Sequence, residues 1–599
     1  MSRNQSSSSS RSSLLFISLL IIITCLQSTV HAKVVKHVFI VDYVEGSPDG
    51  VYRDKILAIN GQFPGPTIEA DLGDTLQVDL VNLIQDGQNT SIHWHGIHQK
   101  GSPCEDGASQ ISQCPLRNGF VQRYQFTLHQ AGTYWYHSHV NSQYTDGLWG
   151  ALIVHNRPEV YDYDGEIVIT LNDWYHRTAR ENEHWHLTPA ARGVPPYPDS
   201  GMINGLGRYP CDLAVLQNRT CDTTLQSRKV FNTHRNQTYR VRVINVSAYT
   251  AFNFSIDGHV LETVEVDGID SARRVPVDYA VLAAAQRYSF LIRTNGSLNR
   301  YLIRADLRIE SLLLIEGVNI NKFPEALMGD VTAVLQYVDD DIPAETEQVE
   351  PFSFQEQVPL KNLSSLICLD EMELSPFDGL PAPPYFDKEF ILEAGFYEDE
   401  HDVRRGQFNM TPFKLPDHKP LLVQLIDGDK LAPSVFALDV GYMDVVQVVI
   451  NNPFFGPHPF HLHGASFWVL GMGGWYDGNY DPARHNETLS LTGVKRDTVL
   501  VQEQSWAVIR FVADNPGVWT FHCHIDWHNL SGMAMTFVVG RDQISRAVRF
   551  TEEGRRVCAH HKLEDLIDKG DQPDTSDATN NSSHTTLVLL ALISIVLYL

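Results

Sequence analysis

The sequence predicts an all-β protein built as three consecutive β domains, and three observations carry that prediction. The chain has 599 residues, long enough for three or four domains. Short apolar runs rich in Val, Ile, Phe and Tyr recur along it, each bounded by Gly, Pro, Asn or Asp, which is the pattern of strands in sandwiches and barrels. Sustained 3.6-residue periodicity, the mark of helices, is scarce.

In chain order, residues 1–32 have the form of a secretory signal. Arg3 and Arg11 precede the apolar run Leu14–Leu26, and the small residues Val30 and Ala32 predict a mature start at Lys33. The first domain is expected over 33–157, with strands near Thr75–Leu83 and Val121–Leu128 and a turn at Phe63-Pro-Gly-Pro66. A break near Asn156-Arg-Pro158 opens the second, over 158–345, with strands near Tyr239–Asn245 and Tyr288–Thr294. The acidic, proline-flanked stretch Asp339–Pro351 has the character of a linker. It leads to a third domain, 346–560, with a strand near Ala507–Ala513. Residues 561–599 carry a polar stretch, Asp574–Ser583, and a short apolar end, Leu587–Leu599. That pattern predicts a lipid-anchor signal attached at Asp577, Asn580 or Ser582, with a retained membrane tail as the competitor. Secretion gives meaning to the sequons at Asn89, Asn218, Asn236, Asn245, Asn253, Asn295, Asn362, Asn409, Asn486 and Asn529, which predict N-glycans.

Charge narrows the function classes. Lys and Arg number 46 against 72 Asp and Glu, a formal charge of −26, the wrong sign for a protein that grips phosphate backbones.

The chemistry lies in four histidine windows: His93-Trp-His95-Gly96, His137-Ser-His139, His458-Pro-Phe-His461-Leu-His463-Gly464 and His522-Cys523-His524, with His528 close behind. Residues i and i+2 of a strand share a face, so four pairs of imidazoles stand side by side. Neutral imidazole suits copper, zinc, iron or nickel, and eight buried imidazoles without partners would be costly. Cys523 selects copper. Its sulfur points away from its histidine neighbours, toward His458 and His528, and a His₂Cys set with Met533 as a long axial ligand is the blue-copper arrangement. His184-Trp-His186 imitates these motifs but lacks the following glycine and any partner window, and is expected to be a surface or rim feature.

These residues resemble the multicopper oxidases, the family of laccases, ascorbate oxidases and ferroxidases, over nearly all of the mature chain. The resemblance implies three cupredoxin-like Greek-key β domains and four copper ions. It assigns His458, Cys523, His528 and axial Met533 to the type 1 copper and His93 and His461 to type 2. His95, His137, His139, His463, His522 and His524 go to the type 3 pair. Four of these eight cluster histidines come from the first domain and four from the third, so the cluster is expected at their interface. The implied reaction is one-electron oxidation of a reducing substrate coupled to reduction of O₂ to water. Asp106 and Asp526 match acids that the family associates with proton delivery; the alternatives are a turn residue and a solvated strand-end charge.

Asn172-Asp-Trp-Tyr-His176 and the segment beginning at Asp199 resemble fungal laccases, in which an acid at the Asp199 position accepts a phenol proton while the electron leaves through His528. Phenol or diphenol oxidation is therefore ranked first. Ferroxidase ranks second, with Glu181 or Glu183 as possible iron-binding acids, and ascorbate oxidation third. A non-catalytic, copper-binding wall or adhesion role is disfavoured because every ligand is retained. Among the cysteines, the family pattern implies Cys114–Cys558, Cys211–Cys221 would close a local loop, and Cys104–Cys368 follows by elimination.

Overall fold

The computed structural model describes residues 32–308, 331–339, 347–352, 361–416, 419–548 and 552–559. Almost all of the expected signal sequence and the whole C-terminal tail with its expected anchor lie outside them. Among the described residues, no helix is long and apolar enough to cross a membrane.

Three two-sheet β units follow one another. The first pairs a sheet ordered Arg53–Ile59, Val34–Gly46, Thr75–Asn82, Val121–Thr127 with one ordered Ile68–Asp71, Trp149–His155, Gly132–Ser138, Ile92–His95. Its strands obey the period of two. In Val121–Thr127 the residues Gln122, Tyr124 and Phe126 are buried and their neighbours exposed. On the outer face Arg123 lies opposite Asp79 and pairs with it at 2.6 Å. Phe39, Leu76, Leu80, Trp94 and Tyr136 are among the residues filling the space between the sheets.

The second unit has sheets of seven and six strands, and the third has sheets of six and five. Predicted strands fall where expected: Thr238–Asn245 pairs with Arg287–Arg293, and Ser505–Val512 lies beside Val445–Asn452.

The expected linker is partly strand. Glu347–Pro351 adds to the edge of the second unit's sheet, antiparallel to Ser227–Phe231. Its acidity has a structural use there, since Glu350 pairs with Arg228 at 2.8 Å and with Arg300. The second unit therefore extends beyond residue 345. The disulfides Cys114–Cys558 and Cys211–Cys221 are formed. The third pairing, Cys104–Cys368, is not. Cys104 packs with Ala108, Ile111 and Phe413, whereas Cys368 bridges to Tyr279 on the second unit.

Candidate metal centre

Strand pairing brings the histidines together. Ile92–His95, buried throughout, runs antiparallel to Gly132–Ser138 with His93 opposite His137. In the third unit His458–Leu462 runs antiparallel to Gly517–Cys523, with His461 opposite His522 and Phe460 opposite Cys523. The two sheets meet ring to ring: His93 stacks on His463 at 4.0 Å and His95 on His461 at 3.8 Å between centroids. His139 lies 5.2 Å from His463, and His524 lies 5.0 Å from His95. All eight cluster histidines therefore converge at the junction of the first and third units. Gly96 follows the first pair at φ 90°, and a Cβ there would lie 2.5 Å from the Arg287 guanidinium, so only glycine fits.

The hydrogen bonds set the tautomers. Nδ1 of His93 donates to the Asp106 carbonyl at 2.7 Å and Nδ1 of His463 to the Asp106 carboxylate at 2.9 Å. Nδ1 of His461, His137 and His522 donates to the carbonyls of Asp497, Ser138 and Cys523. Each of these rings then presents a lone pair at Nε2, the usual preparation of a metal-binding imidazole.

Those lone pairs find no protein donor. Nε2 of His93, His137 and His461, Nδ1 of His95 and both nitrogens of His524 are buried without a hydrogen-bond partner. Nε2 of His463 and Nε2 of His522 face each other at 3.2 Å, two acceptors that repel unless a cation lies near both. Orphaned acceptors at this density are destabilising by about 1–3 kcal/mol each, and metal ions satisfy them. Burial also holds the imidazoles neutral. His139 is lowered to about 3 by burial and the nearby His93, and His95, His137, His463, His522 and His524 lie well below the ordinary value, again mainly through burial.

A second group forms on the other side of Cys523. Its sulfur lies 3.5 Å from Nδ1 of His458 and 3.7 Å from Nδ1 of His528. The three ligand atoms lie within 4.8 Å of one another, as a shared ion requires. Burial lowers His458 to about 4 and raises the Cys523 thiol, so without a metal both are neutral. Met533 is fully buried and bound into this loop, its N–H donating to the His528 carbonyl at 2.9 Å and its own carbonyl accepting from the Cys523 N–H at 3.1 Å. His522-Cys523-His524 is thus a covalent bridge between the two groups.

The candidate acids separate. Asp106 sits between His93 and His463. Asp526 lines a small gap together with His137, His139, His522 and His524. His139, Asn141 and Asn529 of that gap also line a cavity of about 760 Å³. Asp199 lies elsewhere. It accepts from the His176 N–H at 2.7 Å, beside Asp49, and is absent from the lining of the pocket at His528. Glu181 caps its own helix at Thr178, and Glu183 accepts from the Ser142 N–H at 2.7 Å, so neither faces that pocket. His184-Trp-His186 is helical, in Ala179–His186, where residues two apart point to opposite sides. His184 is exposed, but His186 is buried with Nε2 3.0 Å from the Trp527 carbonyl, so it braces the segment that carries His528.

Two important residues escaped the sequence reading. The Asp497 carboxylate lies 3.4 Å from both His95 and His461, and the buried Arg287 of the second unit grips it with two bonds of 2.8 and 2.6 Å.

The pocket beside the Cys523 group has a volume of about 230 Å³. Its lining includes Tyr249, Phe396, Phe454, Phe455, His458 and His528. Asp173 accepts from the N–H groups of Ala248, Tyr249 and Thr250, which fixes the turn that presents Tyr249.

Multicopper oxidase family models match residues 40–159, 165–337 and 401–543. The chain is 32% identical to the iron transport multicopper oxidase fetC of Epichloe festucae, over 88% of this chain and 80% of that protein. It is 35% identical to Laccase-5 of Trametes villosa, over 82% and 87% respectively. Among solved structures it is similar to Fet3p, a multicopper oxidase that functions in iron import, with a TM-score of 0.75, 27% identity and coverage of 88% and 95%. The laccase of Botrytis aclada also has a TM-score of 0.75, with 26% identity and coverage of 91% and 93%.

Proposed function

This chain belongs to the multicopper oxidase family, a copper-dependent oxidoreductase that uses O₂, and we propose that its reducing substrate is a phenol or diphenol. The observation that carries this reading is the pocket beside His458 and His528, walled by Tyr249, Phe396, Phe454 and Phe455 and, among the described residues, lined by no carboxylate. Aromatic walls favour a flat ring through offset and edge contacts. The iron reading draws support from the iron-transport relatives, but a Fe²⁺ site calls for oxygen ligands, and the described residues supply no acid to this pocket.

The ligand assignment is the one the family resemblance implies, and the donor groups around Cys523 and at the junction of the first and third units support it. His458, Cys523 and His528 with Met533 would hold the type 1 ion, His93 and His461 the type 2 ion, and His95, His137, His139, His463, His522 and His524 the type 3 pair. When bound, the four ions accept electrons singly and supply the four-electron reduction of O₂. The balance is four ArOH giving four phenoxyl radicals, four protons and four electrons, against O₂ plus those four electrons and protons giving two waters. The protein's part is to orient and to move protons. The imidazole edge of His528 contacts the substrate pocket, so a phenol ring there is positioned against it. Asp106 and Asp526 stand on two sides of the histidine cluster: burial raises Asp526 well above the ordinary carboxylate value, so it can hold a proton, whereas at Asp106 burial is outweighed by the facing His463 and His93, which hold it below that value and ionised.

We read the chain as secreted and held at the cell surface by a lipid anchor, with N-glycans. The leader and tail patterns support this, as do two disulfides, which persist in oxidising compartments. Asn218, Asn236 and Asn295 are exposed, whereas the Asn245 amide is buried and donates to the Thr250 and Leu282 carbonyls, so glycans belong on the former.

Oxygen uptake by copper-loaded protein with a diphenol, Fe²⁺ and ascorbate tests the substrate. The diphenol should give the largest kcat/KM, and a far larger value for Fe²⁺ would overturn the reading.

A further inference from the structure

We infer that Arg404 makes the pocket beside His528 selective for aromatic reductants that carry a negative charge, such as phenols bearing a carboxylate. This rests on the phenol-oxidase reading and narrows it.

Strand Arg404–Phe408 alternates its side chains. Arg405 turns to one side and pairs with Asp399 at 2.8 Å on the wall of the larger cavity. Arg404 turns to the other and lines the pocket with His458 and His528. Its guanidinium carbon lies 5.0 Å from the Phe396 ring centroid, and Phe396 meets His528 edge-on at 5.1 Å. The stem is held in place by Gly193, where a Cβ would come within 2.4 Å of Arg404 Cδ.

What distinguishes Arg404 is the lack of a counter-charge. The chain carries 72 acidic residues against 46 basic ones, yet no carboxylate among the described residues forms an ion pair with this half-buried guanidinium, and none lines the pocket. A guanidinium offers a planar fork of donors matched to a carboxylate, and its field is strengthened where aromatic walls exclude water. A ring stacked against Phe396 and His528 could direct an acidic substituent to this fork. Cations such as Fe²⁺ would be repelled.

The test uses copper-loaded protein and two phenols of one skeleton, para-hydroxycinnamate and its methyl ester. The wild type should show a KM about tenfold lower for the acid, the worth of one partly exposed charge-assisted contact. Arg404→Met should bring the acid-to-ester ratio of KM to about one, while Arg404→Lys should keep the part of the preference that charge alone supplies and lose the part that the bidentate fork adds. The redox-inert para-methoxycinnamate, measured by calorimetry, should lose affinity in Arg404→Met to the same extent, which separates binding from turnover. Equal KM values for acid and ester in the wild type, or a ratio that Arg404→Met leaves unchanged, would overturn the charge selection alone. Failure to oxidise either phenol, with rapid oxidation of Fe²⁺, would overturn the phenol reading and this inference together.

Discussion

Arg287→Met should be among the most damaging single substitutions outside the metal ligands. Arg287 is fully buried and comes from the second β unit. It donates to both Asp497 oxygens in the third unit, and through Nε to the Thr133 carbonyl in the first at 3.1 Å. One side chain thus ties all three units together. Its removal leaves the Asp497 carboxylate, only 1% exposed, without its cation, and breaking a buried pair from one side costs about 3–5 kcal/mol. Asp497 also lies 3.4 Å from His95 and His461, so its displacement should reach the cluster. Guanidinium unfolding followed by tryptophan fluorescence gives the stability. Copper analysis should show less than a full complement, while the blue thiolate absorption persists because Cys523, His458 and His528 are not touched. Adding Asp497→Asn to Arg287→Met should recover part of the stability by removing the unpaired charge. A loss under about 1 kcal/mol with all copper retained would refute the reasoning, because an exposed pair would behave that way.

Three further outcomes are expected. Cys523→Ser should abolish both the blue absorption and oxidase turnover; oxygen uptake that survived it would show that electrons enter by another route. Gly406→Ala would put a Cβ 2.7 Å from the Met533 nitrogen and 3.1 Å from the His528 oxygen. It should destabilise by about 1–3 kcal/mol and shift the blue absorption, and an unaltered spectrum would count against that close approach. His155 is raised to about 9 by its hydrogen bonds to Glu159 and Glu69. Because its folded value exceeds the unfolded one, its contribution is complete below about pH 6.5 and lost as pH rises through about 9, amounting to about 1–2 kcal/mol after discounting for solvent contact. His155→Gln should flatten stability across that window, and parallel profiles for variant and wild type would contradict the assignment.

Features written in local spacing were recoverable from the sequence. His-x-His pairs in strands specify a shared face, and the alternation in Val121–Thr127 specifies which side is buried. Features that depend on distant partners were not. Arg287 and Asp497 lie 210 positions apart, and neither has a local pattern that marks it as part of the centre. Asp199 resembles the substrate acid of fungal laccases in its local sequence, but its carboxylate accepts from the N–H of His176, 23 positions earlier, and it is not among the residues that line the pocket. Elimination paired Cys104 with Cys368 without any knowledge of distance. His184-Trp-His186, set apart from the copper motifs by its missing glycine, lies in a helix, and local spacing does not reveal that His186 turns inward to the Trp527 carbonyl; the acidity of Asp339–Pro351 suggests a linker, whereas Glu350 pairs with Arg228 and Arg300 from a strand.

The cluster is divided between His93–His139 and His461–His524, and Cys558 must reach back across 444 positions to Cys114. This imposes an order on biosynthesis. A nascent chain that has emerged only as far as its second β unit possesses four of the eight cluster imidazoles and no thiolate beside them. The trinuclear set is completed only after synthesis reaches His524 and the last unit docks on the first. The complete ligand set is therefore a late product of maturation, and truncated copies that end before His461 lack half of the cluster's imidazoles.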